Sequence, residues 1–336
     1  MTVRVGLIGA GLMGSRRAAT IAASKRSRLV TVADLVDGKA ADLAQQYGSA
    51  HTTEWRGVVD DPQVDAVVVA TVNRELAPIT IAALKNGKHV LCEKPPGRNG
   101  TEAASMAEAA RKSDRTLKIG FTLRFHPALR RAKSVCEGNE IGPIFFLRAV
   151  YGHGGRPGYS QEWRGSPELA GGGELLDQGV HLLDLTRWFL GDGSPVAALT
   201  ARWYWDISPL EDNAFILIRT STDQVASLHT SWTQWRNRFS FEVYGRDGYV
   251  SVDGLGGSYG TETLTIGRRQ IDSAVPIEER FAFEGADPSW QGDWDDFLDS
   301  VELGRHPAVD GEDGAAVMRM VDAVYEAAGS ATPLKR

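Results

Sequence analysis

The sequence predicts an α/β protein of two domains: a doubly wound parallel sheet over residues 1–122, and over residues 123–336 an α+β domain with an open, mostly antiparallel sheet. Three observations carry this. In the first third, short β-branched runs alternate with helical stretches, the pattern of βαβ units. Near Arg124 the pattern changes to successive strands separated by turn signals such as "RDG" at 246–248, which reads as antiparallel pairing. A chain of 336 residues is also long for one core and comfortable for two.

The elements follow in order. "VRVGLIG" (3–9) reads as a buried strand, with a helix from Leu12. "RLVTVAD" (28–34) is the next strand; "DAVVVAT" (65–71) and "KHVLCEK" (88–94) are two more, separated by helical "ELAPITIAALKNG", and "LKIGFTL" (117–123) is the last. Crossovers between parallel strands are right-handed. Helical "PALRRAKSVCEGNEIG", the strand "IFFLRAVYG" and a helix from Glu174 to Leu190, stopped by Gly191, open the second domain. "PVAALTARWYW", "NAFILIRT", "QVASLHTSWT", "RFSFEVYGRDGYVSVDG" and "ETLTIG" supply its sheet, and helices at about 290–303 and 311–328 close the chain.

Composition limits the function. Apolar content of 42% and charged content of 24% are those of a globular protein. A net charge of −6 argues against a nucleic-acid surface. No apolar run reaches the ~20 residues that span a bilayer, and "MTVRVGLIGAG" enters a strand directly, without the pattern of a signal peptide. A cytoplasmic protein with no membrane or nucleic-acid partner is expected. Two cysteines, Cys92 and Cys136, are too few for a disulfide framework or a zinc ribbon.

"GAGLMG" places Gly9, Gly11 and Gly14 in a G-x-G-x-x-G pattern between a strand and a helix. The first glycine allows the turn, the second admits a pyrophosphate, the third lets helix and strand pack, and Leu12 and Met13 begin the helix whose N-terminus faces the anion. This is the fingerprint of a dinucleotide-binding Rossmann domain. Asp34 closes the next strand, where it either accepts from the adenosine ribose hydroxyls or is a solvated turn residue; no Arg follows it directly, which favours NAD over NADP.

Lys94 in "CEKPPG" stands at the C-terminal end of a parallel strand, the ligand edge of such sheets. There it can donate to an alkoxide or carbonyl oxygen, or form an ordinary surface pair with Glu93. Pro95 can hold the preceding bond cis. In "GGGELLDQGVHLLDL", Asp177, His181 and Asp184 stand at i, i+4 and i+7, on one face of the expected helix. Three polar groups in one row each need a partner. Asp and His are metal-ligand types, yet no further ligand cluster accompanies them, so no metal is expected. A catalytic His tuned by a neighbouring acid is the better reading.

"GLIGAGLMG", "HVLCEKPPG", "GGGELLDQGVHLLDLTRWFLG" and "HPAVDGEDGAAVMRMVDAVYEAA" together resemble the glucose–fructose oxidoreductase / inositol dehydrogenase / rhizopine-catabolism (Gfo/Idh/MocA) family, over nearly the whole chain. The resemblance implies a nicotinamide-dependent enzyme of sugars or cyclitols, whose C-terminal sheet often forms a dimer or tetramer interface. It matches Lys94 to the family's E-K-P lysine and Asp177 and His181 to its D-x-x-x-H pair. It further implies that Thr71 and Asn73 lie by the pyrophosphate or nicotinamide ribose, Glu93 by that ribose, and Trp163 and Arg164 near the nicotinamide. The family often has Pro after the Thr and His three residues beyond the Asn; this chain has Val72 and Leu76 there, which unsettles the contacts of that loop. Arg124, His126, His153, Tyr159 and Trp235 are candidates for the substrate pocket or for structure.

The expected activity is NAD-dependent oxidation of a sugar, sugar-derivative or cyclitol hydroxyl, or reduction of the ketone. His181 takes the hydroxyl proton with Asp177 tuning it and Lys94 stabilising the alkoxide, or Lys94 is itself the acceptor. Asp184 holds the helix. The rivals are an NAD-dependent glycosidase using transient oxidation and a non-enzymatic dinucleotide-binding regulator, which would be free to lose the Lys-Asp-His set. The Trp-rich "ARWYW" and "TSWTQW" suit an oligomer sheet, with Trp235 in the pocket; a homodimer or homotetramer through the sheet is expected, because apolar residues occupy both alternations of several strands.

Overall fold

The apolar runs of the first third form strands buried on both faces, as a parallel sheet covered by helices requires. In the computed structural model, which describes residues 2–329 and the backbone of 332–333, β1 (Val3–Ile8), β2 (Ser27–Ala33), β3 (Ala50–Thr52), β4 (Ala66–Val69), β5 (His89–Glu93) and β6 (Leu117–Gly120) alternate with α1 (Leu12–Ala23), α2 (Asp37–Tyr47), α3 (Trp55–Asp60), α4 (Asn73–Lys85) and α5 (Gly100–Ser113). All pairings are parallel. The order β3-β2-β1-β4-β5-β6 reverses direction between β1 and β4, which makes the C-terminal ends of those strands the ligand crevice.

The second sheet has nine strands. Following α6 (Pro127–Glu137), they are β7 (Ile144–Gly152), then, after α7 (Pro167–Ala170) and α8 (Val180–Leu190), β8 (Gly193–Arg202), β9 (Asn213–Thr220), β10 (Val225–Ser231), β11 (Arg238–Gly245), β12 (Gly248–Asp253), β13 (Glu262–Arg268) and β14 (Ile277–Phe283). Two helices follow, α9 (Ser289–Leu303) and α10 (Gly311–Ala328), and the two-residue β15 (Thr332–Pro333) ends the series. The order is β14-β13-β12-β11-β7-β10-β9-β8-β15. β7–β10 and β8–β15 pair parallel; the other pairs are antiparallel. In β9, Ala214, Ile216 and Ile218 are buried while Phe215, Leu217 and Arg219 are exposed, the period-2 signature of one covered face. Phe189 of α8 packs on Phe241 of β11 on the covered side, ring centroids 4.8 Å apart.

Three expectations need correction. The chain forms two units, but the first ends at Thr122 and resumes over Trp290–Met318, while the second covers Leu123–Ser289 and resumes at Arg319; residues 123–336 are not one continuous domain. The reason is α9: Trp294, Phe297 and Leu298 are fully buried in one cluster with Val5, Leu7 and Leu91 of the parallel sheet. Next, the helix expected over 174–190 is not α-helical throughout. A π-helical turn covers Leu175–Gly179 before α8 begins. Lastly, Trp232 faces no interface; it is 1% exposed in a core cluster with Tyr159, Ile207 and Leu210. β14, whose "IEERFAF" is mostly exposed, and short β3 escaped the reading because neither carries an apolar run. Among the described residues, no helix is long and apolar enough to cross a membrane.

If α9 completes the first core, Phe297→Ala should cost about 3–5 kcal/mol. Urea unfolding monitored by tryptophan fluorescence measures the loss, and a change below about 1 kcal/mol would show that α9 merely lies on the surface of that unit.

Candidate active site

β1 delivers the chain to a glycine turn at the ligand edge. Gly9 has φ +102°. A Cβ on it would strike the Ala70 carbonyl oxygen, and a Cβ on Gly14 would strike the Gly9 carbonyl, whereas a Cβ on Gly11 would meet no described atom within 4 Å. Gly9 and Gly14 thus serve backbone packing, and Gly11 leaves open space before the amides of α1, which has no side-chain cap among the described residues. Leu12 is exposed and Met13 half-buried beside them. The turn fits a pyrophosphate. Asp34 ties it to β2: its Oδ2 accepts from the Ala10 amide at 2.8 Å and its Oδ1 from the Val36 amide at 2.9 Å, and each oxygen keeps a lone pair for a hydroxyl. Thr71 is half-buried in the turn after β4, and buried Asn73 starts α4.

β5 ends at Glu93, which is 5% exposed. Lys94 follows, half-buried, and the Lys94–Pro95 bond is cis. Arg17 of α1 is 0% exposed. Its Nε lies 2.5 Å from Glu93 Oε1 and its Nη1 2.6 Å from Asp293 Oδ2. Lys118 of β6, equally buried, reaches Asp293 at 3.1 Å and Asp296 at 2.6 Å. Burial would lower the Arg17 pKa; the charges of Glu93 and Asp293 raise it instead. The sequence signal was available in principle: Arg17 follows Gly14 by three residues, on the side of α1 that packs against the sheet.

In the second unit, Asp177 sits in the π-turn, half-buried, while His181 one turn later is 7% exposed. Arg164 Nε lies 3.2 Å from Asp177 Oδ2, and the Arg164 guanidinium stacks over the Trp163 ring at 4.5 Å. Trp163, Arg164 and Asp177 are therefore one assembly. The Tyr151 ring meets His181 edge-on, centroids 5.9 Å apart. Burial, with smaller contributions from Tyr259, Asp177 and Glu174, holds the Tyr151 phenol well above its ordinary pKa. Tyr159 is buried in the core cluster. Burial and then the Asp177 charge push its phenol up as well.

Other expected pocket residues have structural surroundings. Arg124 grips Asp184 with Nε and Nη2, at 2.9 and 2.6 Å, and neither side chain is more than 6% exposed. His126 Nδ1 lies 2.9 Å from Glu262 Oε2, and Glu262 Oε1 accepts from the Ala128 amide at 2.6 Å in the first turn of α6. Arg124 and His126 are thus engaged as buried partners of acids. His153 Nδ1 accepts from the Gly155 amide at 2.9 Å. Trp235 is 62% exposed at φ +58°, with Tyr204 edge-on at 4.7 Å. Among the described residues no group of His, Cys, Asp or Glu is arranged as a metal site.

Residues 3–121 match the oxidoreductase family with an NAD-binding Rossmann fold, and residues 129–251 match the GFO/IDH/MocA C-terminal domain. This chain belongs to the Gfo/Idh/MocA oxidoreductases. Levoglucosan dehydrogenase of Pseudarthrobacter phenanthrenivorans is 30% identical over 285 residues, 74% of this chain and 73% of that protein. The 1,5-anhydro-D-fructose reductase of Ensifer adhaerens is 29% identical over 334 residues, 97% and 96% of the two chains. Among solved structures, levoglucosan dehydrogenase in complex with NADH superposes with a TM-score of 0.90 at 25% identity, covering 98% of this chain and 97% of that one.

One acid of this family member carried no sequence signal. Glu211, just before β9, is 3% exposed, and burial raises its pKa to about 7 against hydrogen bonds from Tyr325 and the backbone. Folded Glu211 therefore holds a proton between its unfolded value of 4.5 and about 7, where the unfolded chain does not. The stabilisation is complete below 4.5 and is lost as pH rises through about 7. Relative to Glu211→Gln, which does not titrate, the wild type should lose on the order of 3 kcal/mol between pH 4.5 and 8. Paired urea titrations across that range check the sign; a pH-independent difference would place Glu211 at an ordinary pKa.

Proposed function

We propose that this family member is an NAD-dependent dehydrogenase oxidising a hydroxyl of a sugar, sugar derivative or cyclitol, or reducing the ketone. The observation that carries the proposal is the π-turn: it presents half-buried Asp177, paired with Arg164 beside Trp163, one turn before His181. In our reading Gly9, Gly11, Leu12, Met13, Gly14 and Asp34 hold the pyrophosphate and adenosine ribose, and Thr71, Asn73, Glu93, Trp163 and Arg164 serve the nicotinamide side. When bound, NAD⁺ supplies the hydride acceptor.

His181 removes the hydroxyl proton in this scheme. Asp177 keeps the imidazole basic, and the Arg164 contact at 3.2 Å fixes where the carboxylate points. Tyr151, its phenol held neutral by burial, supports the ring edge-on. Lys94 at the end of β5 donates to the developing alkoxide. Asp184 belongs to the anchor, since its carboxylate is occupied by Arg124. Sugars and anhydrosugars are the first substrates to screen, since the similar proteins are named for levoglucosan and 1,5-anhydro-D-fructose.

A homodimer or homotetramer through the second sheet belongs to the same proposal. Its uncovered face exposes Leu199, Phe215 and Leu217 by 47, 36 and 38% on paired strands, and Phe215 stacks on His229 at 4.1 Å. Such a patch favours burial against a like surface. Free Cys92 and Cys136 suit a reducing cytoplasm.

On whichever polyol reduces NAD⁺, His181→Ala should lower kcat by ~10²–10⁴-fold with NAD⁺ affinity by fluorescence unchanged. Asp184→Ala should instead lose about 3–5 kcal/mol of stability, because it strands the buried Arg124 charge. Wild-type turnover in His181→Ala would end the catalytic assignment. For the assembly, light scattering at micromolar concentration should show a dimer or tetramer that Leu217→Asp dissociates; a monomeric wild type refutes the interface.

A further inference from the structure

Two of the three glycines before the π-turn are accounted for by their neighbours. A Cβ on Gly173 would strike the Glu211 carbonyl oxygen, and one on Gly172 would strike the Tyr325 hydroxyl. Into this bare backbone comes the Glu211 side chain. Its Oε1 accepts from the Leu175 amide at 3.0 Å and from the Tyr325 hydroxyl at 2.8 Å, and its own carbonyl accepts from the Glu174 amide at 3.1 Å. Leu175 opens the π-turn, so Glu211 satisfies amides that a helix start leaves without intrahelical partners, from a residue 36 positions away in sequence. Next to it, Glu174, fully buried, accepts from the Thr230 hydroxyl at 2.5 Å. The start of the turn is thus clamped to β9, β10 and α10.

We propose that Glu211 is a positioning residue for the proposed oxidation: its carboxyl oxygen caps the π-turn and thereby sets where Asp177 stands relative to Arg164 and His181. The inference rests on the dehydrogenase reading. The turn begins two residues before Asp177 and ends two before His181, so whatever holds its first amide bears on where both stand. A π-turn carries one more residue per turn than its neighbours tolerate comfortably, and an unsatisfied first amide invites it to relax to α geometry, rotating Asp177 about the axis. What the cap must supply is an acceptor, not a charge. The groups facing it agree: the Tyr325 hydroxyl and the Leu175 amide both donate to it. Gly173 is bare because the cap's own backbone occupies the space a side chain would need.

The test compares Glu211→Ala, which removes the acceptor, with Glu211→Gln, which keeps an acceptor oxygen and drops the charge. Steady-state rates are taken with NAD⁺ and levoglucosan or myo-inositol, whichever the wild type oxidises. NAD⁺ binding is read by fluorescence, and the His181 titration by NMR of the apo protein, assigned with His181→Asn. Glu211→Ala should lose ~10-fold or more in kcat, within the range of a disturbed acid–base group, at unchanged NAD⁺ affinity and with a displaced His181 titration. Glu211→Gln should restore rate and titration to within about 3-fold and a few tenths of a pH unit. A Glu211→Ala protein that only melts earlier, with wild-type kcat and His181 titration, overturns the proposal, as does a Glu211→Gln as impaired as Glu211→Ala. Should Glu211→Ala fail to fold, Glu211→Asp replaces it, withdrawing the acceptor by one methylene; equal rates for Asp and Gln refute the cap. If the wild type oxidises no polyol, the dehydrogenase reading has failed instead, and the apo titrations still decide whether Glu211 positions His181.

Discussion

A guanidinium with no exposed surface has to be surrounded by anions, and Arg17 is such a group. Glu93 and Asp293 meet it from β5 and α9, and Lys118 of β6 adds a second buried cation against Asp293 and Asp296. Removing one partner of such a set leaves a charge that burial cannot tolerate. The network therefore fixes the helix behind the glycine turn, the strand that ends at Lys94, and a helix from the far end of the chain as one arrangement. It also gives the chain's return to its first unit a physical cause beyond apolar packing: Asp293 meets both buried cations and Asp296 meets Lys118. The same requirement places Glu93 at the foot of Lys94 with one oxygen already engaged.

The second unit solves the same problem with shorter connections. Arg124, directly after the first unit ends, is matched by Asp184, and His126 by Glu262. These pairs join the entry of the chain to α8 and β13. The row Asp177, His181, Asp184 is then divided by environment. Asp184 is consumed by its anchor; His181 is nearly enclosed beside Tyr151; Asp177 is the most exposed of the three, its side chain 16% accessible, and is held by Arg164. Periodicity put the three on one face, but their partners come from three different segments, which is how a buried row of polar side chains becomes affordable.

Much of this was legible. The glycine turn, the strand-end acid and lysine, the antiparallel second sheet and the boundaries of α10 follow from periodicity and turn chemistry, because each is a local property of consecutive residues. What escaped was non-local. The spacing in "GSRRAA" sets Arg17 on the packed side of α1, but the acid that lets a guanidinium be buried there, Asp293, lies far along the chain. The sequence around Arg124 and His126 does not point to Asp184 and Glu262 as their partners. The π-turn has no pattern of its own: "ELLDQGVHLLDL" is equally good α-helix, and the residues that meet its start, Glu211 and Thr230, lie far along the chain.

That last point bears on why the glycine run precedes the turn rather than interrupting it. Glycine inside a helix weakens it by about 1 kcal/mol relative to alanine, so a run placed there would loosen the element that carries Asp177 and His181. Placed before it, the glycines admit the Glu211 backbone and the Tyr325 hydroxyl to within contact of the chain. The flexibility they would confer on an unfolded segment is removed by Glu211 and Tyr325 in the folded one. The start of the π-turn is thereby held by buried groups, and Asp177 within it meets Arg164.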